Sequence, residues 1–164
     1  TGDIILQARM SIGPNETAGE VHDRMAELGA EAVVETVRQI DAGTVETRPQ
    51  DDEKATPAPK IHDEDGEIPW DASAEAVHNH VRGLSPYPGA WTLHDDTRLK
   101  LYRTRRAEGT GAPGTVLDAD GRRLVACGTG AVEVVVLQQP GRQRLDAADF
   151  LNGYALSEGD RLGE

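Results

Sequence analysis

Cys127 is the only cysteine in 164 residues. An internal disulfide is thereby excluded, and the chain fits a reducing, cytoplasmic setting. Aromatic residues make up 4% of the chain and apolar residues 37%, little for a packed domain yet enough for a core. No apolar run approaches the ~18 residues that crossing a bilayer requires, so a soluble protein with no membrane partner is expected. Lysine is scarce as well, present only as Lys54, Lys60 and Lys100. With 17 basic residues against 29 acidic ones, the formal net charge is −12. A surface of that sign repels nucleic acid, because phosphate binding needs clustered cations. The opening "TGDIILQARMSI" has neither an initiating methionine nor a charged leader. It passes from a polar turn straight into a strand-like apolar run, which reads as a chain that starts inside a domain.

The charge is unevenly spread. Between Arg98 and Arg144 there are nine basic and four acidic residues, a net charge of +5 inside an acidic chain. That segment is either a binding surface or a solvated strand face that balances neighbouring acids.

Residues Ile4 to Ile12 read as a strand ended by the turn "GPN". Thr17 followed three residues later by Glu20 is a capping box that opens a helix. Val21, Met25, Leu28, Ala32, Val33, Val37 and Ile40 then form one apolar stripe, and Gly43 supplies the stop. A strand followed by such a helix is an α/β unit that cannot bury both faces of its strand alone. The next stretch, with Pro49, Pro57 and Pro59, dense charge and little apolar content, reads as a linker. After it, "DASAEAVHNHVRGL" predicts a short helix capped by Asp71 or Ser73, with Ala76, Val77, Val81 and Leu84 inward. Five short strands follow: "AWTLH", "RLKLYRTRR", "GTVLD", "RLVACG" and "AVEVVVLQ". Polar turns separate them, which suggests a small antiparallel barrel. "DAADFLNGY" reads as a closing helix, with Ala148, Phe150, Leu151 and Tyr154 placed to pack.

Few residues point to chemistry. His78 and His80 stand two apart on a helix, so their side chains diverge and cannot share a metal. His22, His62 and His94 have no Cys or carboxylate at ligand spacing and read as surface histidines, so no metal is expected. Cys127 reads as a small buried thiol in mid-strand. "GTGAPG" reads as a flexible hairpin loop, since it opens no helix that could hold phosphate. "GLSPYPGAWT" reads as a rigid corner between helix and barrel, with aromatic side chains packed beneath it.

Taken together, "TGDIILQ", "IGPNETAGEVHDRMAELGAE", "APKI", "IPW", "VRGLSPYPGAW", "LKLYR", "PGTVL" and the tail from "LVACGTG" onward resemble the methionyl-tRNA formyltransferase family, in that family's order. The segment from Pro86 to Trp91 is shared with relatives that formylate sugar nucleotides or hydrolyse formyl-folate. The tail from Gly141 to Gly163 is more typical of the tRNA enzyme. The resemblance implies an α+β chain in three parts. Residues 1–43 would be the last strand–helix unit of a Rossmann-like, formyl-folate-binding domain, and 44–61 a linker. Residues 62–164 would be an OB-like antiparallel barrel with flanking helices that lies against tRNA.

In that family the catalytic Asn, His and Asp belong to the folate domain, the Asp within a Leu-Asp-Thr-Gly-Asp loop. Thr1 and Gly2 match the Thr-Gly of that loop, so the catalytic Asp is expected immediately before Thr1 and no catalytic residue within this chain. Asp3 matches the loop's second Asp. The implied reaction moves a formyl group from 10-formyltetrahydrofolate, bound by the missing part, to the α-amino group of methionine on initiator tRNA. This chain alone is expected to be inactive and monomeric. Lys60 matches a lysine of the family's linker and is expected to contact tRNA. Arg82, Lys100, Arg103, Arg105 and Arg106 are added to it from charge and placement. After Lys60 the family often has further lysines, whereas here "HDEDGE" follows. The alternatives are a sugar-nucleotide formyltransferase using the same donor and a stand-alone RNA-binding module.

Overall fold

A computed structural model describes residues 2–119 and 122–163. The chain divides into two compact units. One gathers the residues up to Pro14 with Glu20–Lys60; the other gathers Asn15–Gly19 with the residues from Ile61 on.

The first unit is dominated by helix α1, Ala18–Asp41. Its end is fixed by Gly43 at φ 66°, whose amide donates to the Ile40 carbonyl while that of Thr44 donates to Gln39. Those two bonds satisfy carbonyls the helix leaves open, and the positive φ suits a residue without Cβ. The predicted apolar stripe is present but uncovered. No residue of α1 is buried, and Met25, Val33, Val37 and Ile40 are all more than half exposed. The strand expected over Ile4 to Ile12 does not form. Only Ile4 pairs, through a two-bond bridge with Arg48, and residues 5–12 join no ladder. A strand exists by its neighbours, and none is within reach of those residues among the described ones. Past the bridge, one 3₁₀ turn, Asp52–Lys54, capped by Asp51, is the remaining regular element of this unit.

The second unit is a curled antiparallel sheet around a helix. Helix α2, Ala74–Gly83, starts at Ser73, whose hydroxyl accepts from the Ala76 amide at 3.2 Å. Strands β1 (Ala90–His94) and β2 (Thr97–Ala107) form a hairpin across the turn Asp95–Asp96, with Trp91 opposite Lys100. Strands β3 (Val116–Ala119), β4 (Arg122–Ala126) and β5 (Ala131–Gln138) complete the order β1-β2-β5-β4-β3. A two-residue strand β6, Leu145–Asp146, pairs with β5 and leads into helix α3, Ala147–Leu151.

The sheet is closed by a segment that carries no strand pattern. The Val116 amide donates to Asp160 and the Leu162 amide to Gly114, on the β3 side. The Gly163 amide donates to Leu93, on β1. The chain end therefore joins the two edge strands, which leaves no long unpaired edge there. Inside the curl, Val77, Val81, Leu99, Leu101, Val116, Val125, Val132 and Leu137 pack together with Trp70, Phe150, Leu156 and Leu162.

Several residues lie elsewhere than their pattern suggests. Ala76 and Ala148 are exposed, and Ala74 and Ala147 take their places toward the core. Cys127 is buried, but just past β4 rather than within it. The loop "GTGAPG" is packed against the strands. A Cβ on Gly109 would lie 2.7 Å from that of Ala131, and one on Gly114 (φ 83°) would lie 2.3 Å from the Leu162 carbonyl. His78 and His94 are not surface residues. His78 Nδ1 is 3.0 Å from the Thr104 hydroxyl, and His94 Nδ1 is 2.7 Å from the Tyr154 hydroxyl. Each of these two polar rings is buried with a hydrogen-bond partner, as most interior polar groups are.

Candidate nucleic-acid interface

Strand β2 carries the basic residues, and its geometry sorts them. Leu99 and Leu101 point into the core, so Lys100 between them points outward. Its Nζ donates to the Pro88 carbonyl at 2.9 Å. Two register shifts between Leu101 and Thr104 mark a bulge, at which Arg103 is half-buried. Thr104 faces α2, through its bond to His78. Arg105 is then exposed on the outer face, opposite Glu133 of β5. Arg106 returns to the helix side, where its Nη1 lies 3.9 Å from Glu75 Oε1. The three arginines thus do not form one patch. Arg82, on α2, donates to Asn79 Oδ1 at 2.8 Å and to the Glu16 carbonyl at 3.0 Å. Lys60 is exposed and belongs to the other unit.

Two cation–aromatic stacks lie outside the expectations drawn from the sequence. The Arg98 guanidinium lies 3.7 Å from the centre of the Trp91 ring, and that of Arg144 lies 3.7 Å from Tyr102. Arg98 is held by Asp63 at 3.1 and 2.6 Å, and the Trp91 Nε1 donates to the Asp63 carbonyl. The hydrogen bond from Arg98 holds the Asp63 carboxyl below its ordinary value of 3.8. Arg144 also donates to the Pro86 carbonyl at 3.0 Å, and Tyr102 donates to Gln138. A usable signal existed for the first stack. A two-residue turn sets Arg98 diagonal to Trp91 on the same face. None existed for Arg144, which reaches its partners across 42 residues or more of sequence.

The corner Ser85–Gly89 departs from expectation in one respect. The bonds before Pro86 and Pro88 are both cis. Trp91 is half-buried as expected, but Tyr87 is 88% exposed, not packed beneath the corner.

Residues 60–155 match the family described as formyl transferase, C-terminal domain. The chain belongs to this family. Its curated relatives carry a more specific name. A methionyl-tRNA formyltransferase of Citrifermentans bemidjiense is 44% identical over 166 residues, which covers 100% of this chain and 52% of that protein. The chain spans about half the length of the curated relatives it matches. Among solved structures, a variant of HypX from Aquifex aeolicus aligns with a TM-score of 0.71 at 21% identity, over 93% of this chain and 28% of that one. HypX in complex with tetrahydrofolic acid aligns with a TM-score of 0.59 at 21% identity, over 79% and 26%. These structures share the α+β fold with its curled antiparallel sheet.

Within this formyl transferase C-terminal domain, little outside the basic face suggests chemistry. Burial pushes the Cys127 thiol up to about 11, far from a nucleophile's range. Among the described residues no three His, Cys, Asp or Glu side chains gather where a metal ion could be held. No described helix is long and apolar enough to cross a membrane.

Proposed function

We propose that this chain is the part of a methionyl-tRNA formyltransferase that positions the tRNA. The whole protein would transfer the formyl group of 10-formyltetrahydrofolate to the amino group of methionyl-initiator tRNA. The observation that carries this reading is identity of about 44% along the entire chain to proteins of that name. The reaction is an acyl transfer through a tetrahedral intermediate. It needs a base for the amine proton and donors for the oxyanion. In this proposal those groups, and the folate site, lie outside this chain, which by itself is inactive.

The chain's own contribution is register. Lys100, Arg103 and Arg105 along β2 take backbone phosphates, which fixes the position of an RNA without reading its sequence. Lys60 contributes from the linker, residues 44–61, and Arg82 and Arg106 from beside α2. Residues 1–43 complete the folate-binding domain, and the protein acts as a soluble, cytoplasmic monomer. The uncovered stripe of α1 supports this division, since residues 1–43 leave it without a partner. The test is acceptor choice by the whole protein. Charged initiator tRNA should be formylated and an amino-sugar nucleotide left untouched; the reverse preference would overturn the reading.

A further inference from the structure

We propose that Tyr87 is a stacking platform for an unpaired RNA base, with Lys100 and Arg144 beside it for the adjoining phosphates. The inference rests on the reading that this part of the protein meets RNA, and it adds where an unpaired nucleotide binds. Tyr87 is the most exposed large hydrophobic residue described, at 88%. Its hydroxyl has no hydrogen-bond partner among the described residues, so neither core packing nor a polar anchor accounts for its position.

The backbone on both sides of it, by contrast, is held by hydrogen bonds. The Ser85 carbonyl accepts from the Gly19 amide at 2.9 Å, Pro86 from Arg144 at 3.0 Å, and Pro88 from Lys100 at 2.9 Å. The Gly89 amide donates to Leu84. Prolines on both sides fix two more torsions. Gly89, at φ 86°, sits so close to Tyr102 that a Cβ would lie 3.0 Å from the ring. A planar side chain on a fixed mount binds with little ordering cost.

The charges beside it suit a nucleic acid. The hydrogen bonds to the corner leave both Lys100 and Arg144 with donors to spare. Asp63, an acid that feels the charge of Lys100, is already engaged by both arms of Arg98. An aromatic face flanked by cations is the arrangement that holds single-stranded RNA, where bases stack and phosphates pair. A base pair inside a helix offers no free face, so the occupant is a nucleotide outside the duplex.

The test uses the whole protein with an RNA hairpin carrying 2-aminopurine in a short single-stranded 3′ overhang, and a blunt hairpin as control. The overhang should bind more tightly and its fluorescence should be quenched. Tyr87→Ala should weaken overhang binding roughly 5- to 100-fold, leave blunt binding and the salt slope unchanged, and abolish quenching. Tyr87→Trp should restore both the overhang affinity and the quenching. Equal binding of the two hairpins, or an equal loss for both on Tyr87→Ala, overturns the proposal. So does a fall in thermal stability with overhang preference intact, which assigns Tyr87 to a protein contact. An Arg103→Ala/Arg105→Ala variant separates the two levels. If it binds both hairpins as well as the parent, the RNA-surface reading itself fails; if it weakens both while Tyr87→Ala changes nothing, only the stacking site fails.

Discussion

Cys127 and Asp63 show how local surroundings set the behaviour of single groups. Burial holds the Cys127 thiol protonated up to about 11, so native protein at neutral pH should react with a thiol reagent far more slowly than unfolded protein. Rapid native labelling would contradict the buried placement. Asp63 is shifted the other way, first by its hydrogen bond from Arg98. A carboxyl whose folded-state value is depressed stabilises fully above its unfolded value and loses that contribution as pH falls through the folded one. The Arg98–Trp91 stack should therefore persist from neutral pH down to about pH 4 and fail only below it, as tryptophan emission would report. A transition near pH 6 would point to another group. At this scale the sequence was informative about residue type and silent about depth. His94 reads as a surface histidine because Tyr154, the partner that lets its ring be buried, lies 60 residues away. Tyr87 reads as packed because aromatic side chains usually are.

At the scale of elements, periodicity worked where a strand or helix buries one face. β1 and β5 form over the residues their alternation predicts, and α2 begins at the predicted Ser73 cap. Leu99 is 1% exposed, so Leu99→Ala should cost about 2–5 kcal/mol in chemical denaturation, the range for such truncations. A change under about 0.5 kcal/mol, the size expected of a surface site, would contradict the core placement. What periodicity could not show is the closure by the chain end. Four backbone bonds over a few mostly polar residues leave no pattern, and the segment reads as a tail. Gly114→Ala tests that closure, because its Cβ would press on the Leu162 carbonyl. Amide exchange at Leu162 and Gly163 should quicken while that of Leu99 and Leu101 holds. Equal protection before and after would mean that the end segment is held elsewhere. The strand expected over Ile4 to Ile12 failed for the complementary reason, since a strand is a property of a pair.

At the scale of the whole molecule, composition and topology pull in different directions. A net charge of −12 argues against RNA, yet β2 displays Lys100 and Arg105 outward, beside stacks that hold Arg98 and Arg144. Family membership was legible because its motifs run the length of the chain, from "IGPNETAGE" to the Gly141–Gly163 tail. The distribution of the cations was not, because the pleat sets Arg105 and Arg106 on opposite faces and the bulge at Tyr102 and Arg103 decides which of them follows Lys100 outward. The proposed function requires this face to bind phosphate. Its most direct test is the affinity of the whole protein for initiator tRNA across a series of salt concentrations, for the parent and for Arg103→Ala/Arg105→Ala. The variant should bind more weakly at low salt, and its log K against log salt should be shallower by ~0.9 for each phosphate it no longer neutralises. Identical affinities and identical slopes at every salt concentration would contradict it.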